Sequence, residues 1–162
     1  MTCRERLERY FKEQKVTFEA HSHPEVYTAQ EVAAVEHVPG RLFAKVVIAN
    51  VDGRLTMLVL PGPARVDTAR LRAALGARDA RLAREEEFAN LFPDCELGAM
   101  PPFGNLYNVP VVVDRSMTLD PKIVFNAGTH RETMTVSYHD FERLAQPRVA
   151  EFATEPQVRR GA

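Results

Sequence analysis

Lys45 is the residue of this chain whose neighbours in the sequence point most clearly to chemistry. It interrupts the run 42–49, in which every other side chain is apolar. If this run is a strand, alternation places Lys45 on the same face as Phe43 and Val47. A buried ammonium requires a partner, so Lys45 either protects an exposed sheet edge or meets an anionic ligand at the mouth of a cavity. The segment alone leaves both interpretations open.

Two loops carry further groups that suit a binding site. Residues 98–104 combine two prolines, which stiffen the loop, with glycines that permit close approach of a ligand to the backbone. Backbone N–H groups of such a loop can hold a carbonyl oxygen as it becomes an oxyanion. Residues 126–130 add hydroxyl and imidazole groups that would line a pocket or simply form a hairpin. Composition alone favours a plain connection for the first loop and leaves the second ambiguous.

Metal binding and a serine nucleophile are less well supported. His21 and His23 would lie on the same side of a strand, but a structural zinc site normally has four ligands and no nearby cysteine spacing or histidine-rich tract supplies them. We therefore expect the two imidazoles at the rim of a cleft or in a turn, and no metal. Ser22 and Ser116 have no convincing His and Asp companions in the sequence, although a triad is spatial and spacing does not exclude it.

Length and composition indicate a single soluble domain. The 162 residues include 21 Lys and Arg against 22 Asp and Glu, so there is no overall basic charge for holding long stretches of nucleic acid, and we expect no DNA partner. Cys3 and Cys95 are too few for a disulfide framework and lack metal-site spacing, which predicts a reducing compartment in which they are bystanders. The absence of a long apolar stretch and of a signal-peptide core predicts a cytoplasmic protein without membrane association.

Hydrophobic periodicity predicts an alternation of short helices and strands. Thr28 and Glu31 have the spacing of a capping box, Asp52 and Gly53 are typical of a hairpin turn, and Asp67 is expected to cap a helix. Helices are predicted near residues 7–14, 28–35, 67–75, 84–91 and 140–145, and strands near 16–20, 42–49, 55–60, 80–83, 109–113, 123–125 and 133–138. We expect a domain over residues 1–150, with the chain frayed from about Arg148, and a polar tail over 151–162.

The order and spacing of these segments resemble the YbaK/EbsC family of aminoacyl-tRNA deacylases, which includes the editing domain inserted in bacterial prolyl-tRNA synthetases. The resemblance covers about residues 5–147 and is closest to a free-standing, single-domain branch. It is carried by Phe18 and His21, the strand 45–49, the loop 98–104, the strand 111–114 and the segment 125–129. The order of these motifs is more specific than any one of them.

The resemblance implies a mixed α/β fold, built as a six-stranded, partly barrel-like mixed sheet surrounded by short helices. It implies hydrolysis, in trans and without a cofactor, of the ester that joins a wrong amino acid to the acceptor end of a tRNA. A partner synthetase is a further implication. A non-catalytic protein that binds a free nucleotide or small molecule on the same fold is the competing hypothesis.

The site residues follow from the same resemblance. Lys45 matches the family's lysine and would anchor a phosphate or the ester oxygen, while Gly98 and Ala99 would supply backbone donors. Substrate-binding residues are expected at His21, Val47, Met100, Pro101, Phe103, Asn126, Gly128, Thr129 and His130. The water could be activated by the substrate's ribose hydroxyl or by His130. Residues 21–23 replace a loop in which cysteine-specific members tend to carry a tyrosine, so alanine, serine or another amino acid stays open as substrate.

A group of arginines in the middle third of the chain has two interpretations. They either form a solvated helix face paired with Glu85, Glu86 and Glu87 or contact the acceptor stem of tRNA. The arginines are Arg65, Arg70, Arg72, Arg78, Arg81 and Arg84.

Overall fold

The computed structural model describes residues 1–155, apart from the side chain of Gln30, and has a mixed α/β architecture. Its helices are α1 (Cys3–Glu13), α2 (Ala29–Glu36), α3 (Thr68–Leu75), α4 (Glu85–Phe88) and α5 (Tyr138–Ala145). Its strands are β1 (Glu19–Ser22), β2 (Ala44–Val51), β3 (Arg54–Pro61), β4 (Arg65–Val66), β5 (Ala80–Leu82), β6 (Val111–Asp114), β7 (Lys122–Asn126), β8 (Glu132–Ser137), β9 (Arg148–Ala150) and β10 (Ala153–Thr154). The mixed α/β class that we expected is confirmed.

The described strands fall into three sheets. A five-stranded mixed sheet has the order β5-β2-β3-β6-β9, a three-stranded sheet has the order β1-β8-β7, and β10 pairs with β4. A single bridge between Phe43 and Val124 joins the start of β2 to β7. Within residues 1–155 the strands therefore form neither a closed barrel nor the single six-stranded sheet that we expected, because β1, β7 and β8 pair separately from the larger sheet.

The hairpin of β2 and β3 forms the centre of the larger sheet. The strands are antiparallel in the register Lys45 to Leu60, and Asp52 and Gly53 form the turn with φ of 50° and 85°. Two consecutive residues with positive φ match the twist of the flanking strands, which is why Asp-Gly is favoured there. The predicted hairpin is confirmed.

The two faces of this hairpin are packed against different cores. On one face of β2, Ala44, Val46 and Ile48 contact the main core, which is closed by α1, α5 and the three-stranded sheet. On the other face, Val47 contacts a second core of residues from β3, α3 and the C-terminal strands. Alternation along β2 places Lys45 on the same face as Val47.

Local sequence signals account for the positions of the helices. The Thr28 hydroxyl accepts a hydrogen bond from the Glu31 N–H, while the Glu31 carboxylate accepts one from the Thr28 N–H, so the predicted capping box is confirmed. The Asp67 side chain caps α3, and Gly76 ends that helix with φ of 63°. Capping of this kind satisfies backbone groups that a helix leaves without partners at its ends.

The chain stays folded beyond Arg148, so the expectation of fraying there is wrong for residues 148–155. Phe152 is fully buried in the second core, and β9 extends the larger sheet beside β6. The buried Asp114 carboxylate accepts hydrogen bonds from the N–H groups of Phe152 and Ala153 and from the Ser116 hydroxyl. Burial raises the pKa of Asp114, but these hydrogen bonds outweigh it, and the net pKa is lowered. The remainder of the predicted tail, residues 156–162, lies outside the described residues.

None of the helices within residues 1–155 has the length and apolar character needed to cross a membrane.

Candidate functional site

Lys45 is half-buried in β2, and its ammonium already has a partner. The Nζ atom donates a hydrogen bond to the backbone oxygen of Ala64, in the segment that follows β3. Burial, and secondarily the positive charge of Arg65, lower the pKa of Lys45. Because an ammonium has three N–H donors, an anion that reaches this position can still receive hydrogen bonds from it.

A cavity of about 360 Å³ lies next to this segment. Ala64 lines it together with the two prolines of residues 61–63, and Arg41 and Asp120 form an ion pair on its wall at 3.3 Å. Ala64 thus both accepts the hydrogen bond from Lys45 and lines the cavity. Val47, the second predicted residue on this face of β2, contacts the second core.

The loop 98–104 lies on the opposite face of the hairpin. Ala99, Met100 and Phe103 are buried, and Met100 and Phe103 pack in the main core with Ala44 and Ile48. The Phe103 ring makes edge contacts with other aromatic rings of that core. The structure therefore does not place Met100 and Phe103 on one wall with Lys45, since alternation along β2 separates the two groups. Pro101 is buried in the same loop.

Backbone hydrogen bonds join the loop 98–104 to residues 126–130. The Ala99 N–H donates to the Glu96 oxygen, and the Ala99 oxygen accepts from the Gly128 N–H, both at 3.0 Å. The Ala99 N–H, which we predicted as a donor to the substrate, is thus engaged inside the protein. Gly98 has φ of 84°, a conformation that favours glycine, and its α-carbon faces the His130 ring, because a Cβ atom there would lie 3.5 Å from Cε1.

His130 presents a basic nitrogen at the meeting point of the two loops. Its Nε2 lies 3.0 Å from the backbone oxygen of Leu97, and because a carbonyl only accepts, Nε2 carries the proton. In the neutral imidazole the other nitrogen, Nδ1, then carries the lone pair. It is buried and has no hydrogen-bond partner among residues 1–155. The His130 backbone N–H donates to the Glu96 carboxylate, and the Tyr27 ring lies 4.6 Å from the imidazole centre, so the ring is held on two sides.

The other predicted residues of this loop have different roles. The buried Oδ1 of Asn126 has no partner among the described residues, whereas the Thr129 hydroxyl donates to Glu132 at 3.2 Å. Gly128 packs directly on Cys3, because a Cβ atom at this position would lie 2.4 Å from Cys3 Cβ. Only glycine fits at this contact without a shift of the backbone or of helix α1.

The two N-terminal histidines have unlike surroundings. His21 is exposed on β1, 3.5 Å from Glu19, whereas the His23 side chain is buried, with Nδ1 2.7 Å from the Pro24 oxygen and Nε2 3.9 Å from Glu36. Residues 1–155 contain no group of three His, Cys, Asp or Glu side chains arranged to hold a metal ion.

Some of the arginines are paired as the solvated-face interpretation predicts. Arg81 and Arg84 both form ion pairs with Glu87, and the Arg81 guanidinium is the main cause that lowers the pKa of Glu87 to about 2. A contact with tRNA stays a prediction.

Sequence reasoning missed several residues of this region. Tyr27 and Glu96 hold His130 but have no distinctive neighbours in the sequence. Cys3 and Cys95, predicted to be bystanders, both contact the hydroxyl of Tyr107, which no pattern singled out. Their positions are far apart in the chain, and only packing of α1 against the loop 93–97 brings them together.

Comparison with known proteins identifies the family. Residues 23–144 match the sequence model of the aminoacyl-tRNA editing domain, and the chain belongs to that family. The resemblance found in the sequence is confirmed, and editing of aminoacyl-tRNA is the function that defines this class of domain.

Relatives and solved structures extend this result. The chain is 32% identical over 94 residues to proline–tRNA ligase of Streptococcus pneumoniae (strain Hungary19A-6); the match covers 58% of this chain but 15% of the ligase. A structure of the hypothetical protein APE2540 superposes with a TM-score of 0.82 at 23% identity, covering 91% of this chain and 99% of that one. A proposed trans-editing enzyme for prolyl-tRNA synthetase superposes with a TM-score of 0.81 at 18% identity, covering 95% and 98%. At these identities the superpositions show the fold.

Proposed function

We propose that this protein acts in trans as an aminoacyl-tRNA deacylase that cleaves the ester of a mischarged tRNA and releases the amino acid. The observation that carries the proposal is the match of residues 23–144 to the editing-domain family. Structures of similar size superpose over nearly the whole of both chains, which supports a domain that works apart from a synthetase. The similarity to proline–tRNA ligase supports proline tRNA as the carrier and the ligase as a partner.

The reaction makes modest demands on the protein. An aminoacyl ester is already activated, so the site has to orient water, stabilise the oxyanion and exclude the correct amino acid by size. No covalent nucleophile is required. These tasks need hydrogen-bond donors and acceptors that are not already paired within the protein. We therefore assign catalytic and binding roles to polar groups of that kind.

Lys45 is assigned to the acceptor end of the tRNA. Its ammonium is half-buried, has donors to spare and lies close to Arg65, so the two cations would together attract a backbone phosphate of the tRNA end. This placement favours anchoring over proton transfer.

His130 is assigned to the water. The lone pair on its buried Nδ1 is oriented by the Nε2 hydrogen bond to Leu97, which is how a general base is held in one tautomer. Asn126, whose Oδ1 lacks a partner among the described residues, would contact the substrate nearby. The ribose hydroxyl of the substrate is the alternative activator of water.

The loop 98–104 is assigned a mixed role. Gly98 lies against His130 and would present its N–H to the developing oxyanion, whereas the Ala99 N–H is occupied by Glu96. Met100, Pro101 and Phe103 would hold the loop in position instead of contacting the substrate directly. Met100 and Phe103 pack in the main core, and Pro101 is buried in the same loop.

A panel of mischarged tRNAs tests the proposal. Alanine, serine and cysteine on proline tRNA would each be incubated with the protein, and amino-acid release measured against correctly charged tRNA. We expect release from at least one mischarged substrate and a loss of about tenfold to a hundredfold in kcat/KM for Lys45→Ala, the magnitude typical of removing one hydrogen bond to a charged group.

Lys12→Ala is the matched control, because Lys12 is exposed on α1. It should leave kcat/KM unchanged, and both variants should still unfold cooperatively on heating, which shows that they are folded. Release that is unaffected by Lys45→Ala in a folded protein would contradict the assignment of Lys45. No release from any charged tRNA would instead favour the non-catalytic binding protein.

A further inference from the structure

Two thiols from distant parts of the chain meet at one hydroxyl group. The Tyr107 hydroxyl lies 3.6 Å from Sγ of Cys3, at the start of α1, and 3.3 Å from Sγ of Cys95, in the loop before Gly98. The sum of these two distances is the upper limit for the separation of the sulfurs. Both cysteines are free thiols.

The pair is reachable by a small reagent. Cys3 and Cys95 line the same open cavity of about 810 Å³, together with Asp94 and the loop that contains Gly128. Cys95 is half-buried, while Cys3 is only 2% exposed and forms the floor. Both thiols therefore border space that a small reagent such as hydrogen peroxide can enter.

We propose that Cys3 and Cys95 are an oxidative modification site, at which hydrogen peroxide converts the two thiols into an intramolecular disulfide. In the first step the Cys3 thiolate attacks one peroxide oxygen, the O–O bond breaks, and the leaving hydroxide takes a proton to become water. Cys3 is then a sulfenic acid. In the second step the Cys95 sulfur attacks the Cys3 sulfur, the S–O bond breaks and a second water leaves, so that the two thiols have supplied the two electrons that reduce the peroxide.

The surroundings of the two sulfurs set the order of the steps. The neighbouring Cys95 thiol, and after it the Tyr107 hydroxyl and the charge of Arg6, lower the pKa of the Cys3 thiol, although burial and the negative charge of Asp94 oppose them. The Arg6 guanidinium lies over the Tyr107 ring, 4.7 Å from its centre. The pKa of Cys95 is raised by its hydrogen bond to Cys3 and by burial. Cys3 is therefore the thiol that reacts first, and Cys95 the one that resolves it.

The disulfide would change the contacts of the loops that hold His130. Gly128 packs on the side chain of Cys3, and Glu96, next to Cys95, binds the His130 backbone. A bond between the two sulfurs would shift the contact of Gly128 with Cys3 and the contact of Glu96 with His130 together. We expect the oxidised protein to release amino acid more slowly than the reduced protein, with full recovery after dithiothreitol.

Peptide mapping tests the inference without any tRNA. The full-length protein would be treated with hydrogen peroxide, quenched with an alkylating reagent, and digested without reductant. The expected product is a peptide pair joined through Cys3 and Cys95, formed at a rate independent of protein concentration. In Cys95→Ser we expect a sulfenic acid on Cys3, which dimedone traps when it is added together with denaturant at the quench. The parent protein should give no such adduct, because Cys95 consumes the sulfenic acid.

Several results would overturn the inference. These are separate sulfinic or sulfonic acids on the two cysteines, disulfides only between molecules, or a dimedone adduct on Cys95 of Cys3→Ser that forms faster than that on Cys3 of Cys95→Ser. Equal cross-linking in denaturant would also overturn it, because the fold would then have no part in bringing the thiols together. Failure of the editing proposal leaves the peptide map unaffected, so the two ideas fail separately.

Discussion

The surroundings of Lys45 and those of His130 are built in different ways. Lys45 belongs to a regular strand, where alternation alone decides which face each side chain occupies. His130 belongs to a loop, and its position depends on backbone hydrogen bonds among residues 96–99 and 126–130. The comparison teaches that a residue on a strand can be placed by its immediate neighbours, whereas a residue in a loop is placed by contacts with distant segments.

The close contact of Gly128 with α1 is where a substitution should destabilise the loop region most. Gly128→Ala is expected to lower the free energy of unfolding by about 2 to 4 kcal/mol, because the new Cβ overlaps Cys3 and the backbone has a positive φ of 96°. Denaturant unfolding measures the loss.

Gly53→Ala is the matched control for that substitution. Gly53 has a similar φ of 85°, but a Cβ there meets nothing within 4 Å, so only the strain of about 1 kcal/mol is expected. Equal losses for the two variants would show that Gly128 is required by its backbone conformation and not by the contact with Cys3.

His130→Gln tests whether the imidazole of His130 takes part in catalysis. Gln lacks a basic nitrogen, so kcat for deacylation should fall by about tenfold to a hundredfold while KM changes little. The unfolding midpoint, measured by circular dichroism, reports whether the loop remains intact.

A substrate that ends in deoxyadenosine separates the two candidate activators of water. If the ribose hydroxyl activates the water, this substrate should be hydrolysed slowly by the parent protein, and His130→Gln should retain the parent kcat on ordinary tRNA. That pair of results would remove His130 from the mechanism.

The smallest effect is expected at Lys45, in the pH dependence. Because burial lowers the pKa of Lys45, its charge is lost at a lower pH than that of an ordinary lysine. The alkaline decline of kcat/KM should therefore move to higher pH in Lys45→Arg, whose guanidinium stays charged. Initial rates across alkaline pH, corrected for spontaneous ester hydrolysis, measure the shift. An alkaline decline at the same pH in both proteins would contradict a role for the Lys45 charge.

The lowered pKa of Lys45 also makes the stability of the folded protein depend on pH. The lowered pKa means that the folded protein releases this proton more readily than the unfolded chain does. Charging Lys45 therefore costs stability at low pH, and that cost disappears as the pH rises through the folded pKa towards the unfolded one. We therefore compare the unfolding midpoints of the parent and Lys45→Met at neutral and at alkaline pH. The difference between them should shift in favour of the parent as the pH is raised.

Elements with local signals were predicted well, and those that depend on distant partners were not. The capping box at Thr28, the Asp52-Gly53 turn and the cap at Asp67 all lie within a few residues of the groups they bind. Strands β9 and β10 were missed because both are short and because their partners, β6 and β4, are far away in the chain. The same holds for the candidate site: the face on which Lys45 lies was predicted from its neighbours, whereas the surroundings of His130 depend on distant segments.

The sequence by itself determined the family, the class of fold, the hairpin around Lys45 and the face of β2 on which this lysine lies, because each follows from motif order or from contacts between near neighbours. Only the tertiary structure decided that Met100 and Phe103 lie across the sheet from Lys45, that the Ala99 N–H is already bound, and that Cys3 meets Cys95. These arrangements depend on which surfaces pack together, and packing of this kind joins residues between which sequence spacing carries no information.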